Sequence, residues 1–205
     1  MEKQVQAVNK EKGKEKLTVR DYVTIALFVV LVFVIYSAIG MPIGLLFPVY
    51  GGIFMQATCA LFWGTIFILL YTKVNKKWVV LIFSIIQALI LMMTAWMVSI
   101  LIVAGGIIAE IVWQKLDRKK FRTMATCFTI QITAWFLAIY TPLLLFADIS
   151  LYLKESYIEM YANIKAVLAG PLFLVAVAAT IVCSIIGAFI GKALLKKHFK
   201  KAGVV

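Results

Sequence analysis

Apolar blocks about as long as a bilayer crossing alternate along this chain with short basic clusters. The stretch from Tyr22 to Ile39 carries no charge, and roughly 20 such residues, rising about 1.5 Å each, cross a hydrocarbon core of about 30 Å. Lipid offers no partner to free backbone groups, so blocks of this kind are expected to be helices. The pattern predicts six of them: Asp21 to Ile39, Leu45 to Tyr71, Trp78 to Ala95, Met97 to Lys115, Phe121 to Phe146 and Ala166 to Leu195. Thr18, with Asp21 three residues on, is a capping-box variant at the entry to the first. Gly40, Pro42 and Gly44 are expected to end it, and Pro48 with Gly51-Gly52 to give the second a bent or re-entrant opening. No charged loop separates the third and fourth helices between Thr94 and Met97. The expected fold is therefore an all-α integral membrane protein, a six-helix transmembrane domain over residues 21–196. Basic polar tails flank it at 1–20 and 197–205.

Composition sharpens this picture. Of 205 residues, 64% are hydrophobic and 15% charged, more apolar than a soluble domain can cover. The net charge of +12 sits in clusters between apolar blocks, without interleaved base-stacking residues, and so points to membrane topology rather than nucleic acid. With the N-terminus inside, cytoplasmic segments hold six Lys and Arg before the first helix, three at Lys73, Lys76 and Lys77, five from Lys115 to Arg122 and five from Lys192 onward. Only Lys154 and Lys165 fall outside, an asymmetry that fits both ends in the cytoplasm of a multi-pass protein of a bacterial-type cytoplasmic membrane. The first 21 residues lack the apolar core of a signal peptide, so the first helix is expected to stay as signal and anchor. Cys59, Cys127 and Cys183 lie inside apolar blocks without metal-ligand spacing and read as packing residues.

Candidate chemistry is sparse. There is no Gly-rich phosphate loop ending in Lys-Ser or Lys-Thr, so the chain is not expected to hydrolyse ATP. The single histidine, His198, lies in the basic tail away from any carboxylate cluster, and no enzyme is expected. Glu110 is the one carboxylate inside a span. It is a functional candidate for that reason, or a group reaching the cytoplasmic interface beside Gln114 and Lys115. Ala179, Cys183, Gly187 and Gly191 recur every four positions and form a small-residue stripe for close packing, internal or against another subunit. At the outer helix ends, Met41, Tyr50, Met93, Trp96, Tyr140, Asp148, Tyr157 and Tyr161 are expected to gather round an apolar, aromatic substrate pocket. The segment 147–165 is the only outer one long enough to be a lid.

The opening Lys16-Leu17-Thr18-Val19-Arg20-Asp21-Tyr22, the helix end Tyr71-Thr72-Lys73-Val74, Gly106 with Ala109-Glu110, and above all the tail from Gly187 to Val204 carry a resemblance. From Lys16 onward the chain resembles the Trep_Strep group of substrate-binding (S) components of energy-coupling-factor (ECF) transporters, a kind of ABC importer. The resemblance implies a six-helix S component that binds a micronutrient at the outer face. It also implies assembly with a transmembrane coupling (T) subunit and two ATPase (A) subunits that use the ATP. Docking through the first helix would use Ala26, although Val30 stands where a second small residue is usual in such proteins. Cargo in that family includes vitamins and haem. Outer Met and Tyr side chains are able to ligate iron, whereas the lack of an outer His or Cys cluster disfavours a transition metal. The alternative functions are an ion-coupled carrier working through Glu110 and a membrane scaffold or enzyme.

Overall fold

The computed structural model describes residues 16–199, apart from Thr94, Tyr152, Lys154 and Ala169 and the side chains of Ser156, Tyr157, His198 and Phe199. Among the described residues the chain is entirely helical, with seven helices. We number them α1 (Val19–Leu46), α2 (Tyr50–Lys73), α3 (Val79–Leu91), α4 (Trp96–Lys115), α5 (Phe121–Leu145), α6 (Glu155–Leu168) and α7 (Pro171–Leu194). All but α3 and α6 are long and apolar enough to cross a membrane. The 13 residues of α3 rise only about 20 Å.

The capping box is formed: Thr18 accepts from the Asp21 N–H, and the Asp21 carboxylate accepts from the Thr18 N–H at 2.7 Å. Asp21 also takes a 2.7 Å bond from Lys76, tying α1 to the α2–α3 loop. Contrary to expectation, Gly40, Pro42 and Gly44 do not end α1. Residues Tyr36–Gly40 form a π-helical turn in which the Met41 N–H reaches back to the Tyr36 carbonyl. A proline lacks the N–H and crowds the carbonyl four residues back, and a widened turn relieves both faults. The break comes instead at Phe47–Val49, where Gly51 lies so close to Ile43 that a Cβ would stand 2.3 Å from its carbonyl oxygen.

The last span also begins later than expected, at Pro171 rather than Ala166. Gly170 adopts φ 136°, which only glycine takes readily, and Pro171 then opens α7 with its ring preset for a helix. The residues before this turn belong to α6, which packs on the far ends of α2, α5 and α7.

The tightest packing in the bundle is between α2 and α7. A Cβ on Gly64 would sit 2.0 Å from the Gly187 carbonyl oxygen, one on Gly187 2.2 Å from that of Ala60, and one on Gly191 2.6 Å from that of Gly64. Gly187 and Gly191 thus pack internally. Ala179 and Cys183 are only half-buried, and the buried face runs through Ala176, Thr180, Ser184 and Ala188. On α1, Ala26 is half-buried while Val23, Leu27, Val30 and Val34 form an exposed apolar face.

Candidate functional site

An aromatic layer joins α1, α2 and α5 in the middle of the bundle. The Trp63 and Trp135 rings stack with centroids 4.8 Å apart and planes at 15°. Tyr36 stacks on the same Trp135 at 6.1 Å, and Phe33 leans on it. Trp63 is anchored by its indole N–H on the Val32 carbonyl at 3.0 Å. Further toward the end opposite the basic loops, Tyr140 is buried and donates its hydroxyl to the Gly52 carbonyl at 2.5 Å. Ile164 of α6 covers Gly52 from above.

Gln56 stands on α2 between Gly52 and Trp63, completely buried. Neither its amide nitrogen nor its amide oxygen has a hydrogen-bond partner. The buried Trp135 indole N–H and the Gln87 amide nitrogen are likewise unpaired, as are the Thr129 and Thr133 hydroxyls. A hydroxyl can rotate to a carbonyl of its own helix. A buried primary amide left unpaired costs about 1–3 kcal/mol, so each such group calls for an explanation, of which a bound polar molecule or water is the ordinary one.

Over this region lies the outer segment expected as a lid. The short turn Ile149–Leu151 and helix α6 dock through Ile149, Leu153, Ile164 and Leu168, all buried. Lys165 donates to the Phe146 carbonyl at 2.6 Å and the Ala147 carbonyl at 3.1 Å, closing the C-terminal end of α5 with a positive charge.

The structure distributes the eight expected pocket residues unevenly. Tyr140 is buried in the layer just described, and Tyr161 is partly buried against the core. Met41, Tyr50, Met93 and Trp96 point outward, between 49% and 73% exposed. Asp148 is exposed and accepts from the Ser150 N–H at 2.8 Å and hydroxyl at 2.6 Å. Those two bonds hold its carboxyl below the usual carboxylate range. The Tyr157 side chain lies outside the described residues. Sequence reasoning missed Gln56, Gln87, Trp63 and Trp135 as site residues, although an amide side chain in the middle of an apolar span is itself a signal.

Glu110 is buried and fully engaged. Its carboxylate accepts from the backbone N–H groups of Trp78 at 2.7 Å, Val80 at 3.2 Å and Leu81 at 3.2 Å, and from the Gln114 amide at 2.7 Å. It caps the N-terminus of α3 from the neighbouring helix, where a negative charge meets the positive end of the helix dipole. Trp78, at φ 72°, is held by this contact in a left-handed conformation rare for a bulky residue. A second network lies nearby: Tyr71 donates to Gln131, whose amide donates to Ser84 Oγ at 2.8 Å and the Val80 carbonyl at 3.2 Å.

A family model described as a hypothetical bacterial integral membrane protein (Trep_Strep) matches residues 19–201. The chain belongs to the Trep_Strep family. No curated protein and no solved structure matches it. The match covers every helix of the described residues, so the aromatic layer, the Glu110 cap and the docked helix α6 of this Trep_Strep protein all lie within the family's span.

Proposed function

We propose that this Trep_Strep protein is the substrate-binding S component of an ECF-type ABC importer for an organic micronutrient. The observation that carries the reading is the fully buried, unpaired Gln56 amide, one turn along α2 from Gly52, which Ile164 of α6 covers, and two turns from Trp63 of the stacked tryptophan pair. An apolar, aromatic enclosure with a few polar groups to fix orientation suits a small, flat organic ligand. The buried polar groups on these helices include the Gln56 amide, the Trp135 indole and the Tyr140 phenol, a donor set better matched to an organic molecule than to a transition metal. A tetrapyrrole such as haem is one member of that class, and a Soret band in the purified protein would identify it.

On this reading ATP is hydrolysed by two A subunits acting through a T subunit, in keeping with a chain that has no phosphate-binding loop. The exposed apolar face of α1 beside Ala26 is the proposed docking surface. The test is co-expression with candidate coupling and ATPase subunits, followed by ligand uptake into proteoliposomes. ATP-dependent uptake that needs all components supports the reading. Uptake by this chain alone, driven by a proton or sodium gradient, would replace it with an ion-coupled carrier.

A further inference from the structure

We propose that the cytoplasmic end of this protein holds a binding site for one anionic phospholipid, between α2, the start of α5 and the end of α7. A cleft of about 350 Å³ opens there, lined by Ile68, Thr72, Phe121, Met124 and Leu195 with Lys119, Lys192 and Lys196 around it. Its apolar wall and cationic rim fit an amphiphile with a negative headgroup. Basic pockets between membrane helices at the cytoplasmic leaflet recognise anionic headgroups in this way.

Charge complementarity favours that occupant. None of the three ammonium groups is paired with a carboxylate of the described residues. Lys192 lies 4.4 Å from the centroid of Phe121, which holds one cation against the apolar wall. The described carboxylates nearer the basic end are committed elsewhere: Asp21 to Lys76, Glu110 to the start of α3, and Asp117 to Lys120 and the Lys119 N–H. The N-terminus of α5 also ends at the cleft without a side-chain cap, and the positive end of a 25-residue helix adds to the attraction for a phosphate. Just above, the glycine-mediated approach of α2 and α7 brings Lys192 and Lys196 over Ile68 and Thr72.

The test is native mass spectrometry of the full chain released from nanodiscs containing equal phosphatidylglycerol and phosphatidylcholine. One retained phosphatidylglycerol per chain is expected, with at least a tenfold lower retained fraction in Lys119→Gln/Lys192→Gln/Lys196→Gln. A matched variant, Lys73→Gln/Lys77→Gln/Lys115→Gln, removes the same charge from the same end and is expected to retain the lipid. Equal loss in both variants would mean general surface attraction and overturn the site. Retention in the first variant, or displacement of the lipid by millimolar glycerol phosphate, would overturn it as well. The second result would indicate a site for soluble phosphates. Binding of an acidic peptide at the cleft in preference to phosphatidylglycerol would assign it to a protein partner instead. All three lysines are exposed, and unchanged elution on size exclusion would confirm that the first variant is folded.

Discussion

Glu110 places a carboxylate within hydrogen-bond reach of three backbone N–H groups at the start of α3. Removing it leaves those donors unpaired in a buried site, where hydrogen bonds to charged groups are worth about 1.5–3 kcal/mol each and do not add in full. Glu110→Ala is therefore expected to destabilise the protein by about 3 kcal/mol, read as a lower midpoint of unfolding in denaturing detergent. Glu110→Gln keeps one acceptor oxygen and is expected to lose less. A Glu110→Gln variant that folds normally but loses gradient-driven uptake would contradict the capping role. Gln56 gives the opposite expectation: its amide has no partner, so Gln56→Leu is expected to leave stability unchanged or raise it. The same substitution should weaken ligand binding at least tenfold, measured by equilibrium binding once the cargo is known. The sequence marked Glu110 as an intramembrane charge, yet not what it meets, because a cap supplied by another helix depends on how α4 approaches α3. Met41, Tyr50, Met93 and Trp96 were legible as residues near the helix ends away from the basic loops. Which way they face round each helix depends on packing, and they face outward.

At the scale of elements, two contacts hold the arrangement: the glycine seam between α2 and α7, and the Lys165 latch on α6. A Cβ on Gly64 would overlap a backbone carbonyl at 2.0 Å, and backbone cannot turn aside as a side chain can. Gly64→Ala is expected to cost about 3 kcal/mol through overpacking, again read from the unfolding midpoint. An unchanged midpoint would mean that the helices are further apart than described. Lys165→Ala removes two bonds to the end of α5, and the expected result is faster hydrogen exchange across Glu155–Leu168 with the rest of the bundle unchanged. The small residues of α7 were legible as a packing stripe, but not that Gly187 and Gly191 would meet Ala60 and Gly64 within the bundle, since spacing along one helix says nothing of what faces it. The start of α7 was missed, although Gly170-Pro171, a helix stop followed by a helix start, carries the signal for it. The π turn in α1 was concealed, because the same Gly and Pro residues read as a terminus until packing against Met55 and Cys59 carries the helix past them.

For the whole molecule, charge asymmetry sets the expected orientation, and the proposed function rests on the buried, unpaired Gln56 amide. With the basic end in the cytoplasm, Ser150→Cys is expected to react with a membrane-impermeant maleimide on intact cells, and Lys73→Cys only after permeabilisation, both in a Cys183→Ala background. Cys59 and Cys127 are buried and are expected to stay unlabelled until the protein is denatured. The most direct test of the central claim is mass spectrometry of small molecules co-purifying with the wild-type chain and with Gln56→Leu from the same cells. The account predicts a single organic molecule in stoichiometric amount with the wild type and its loss from the variant. The same molecule in equal amount on both proteins, or none on either, would contradict it.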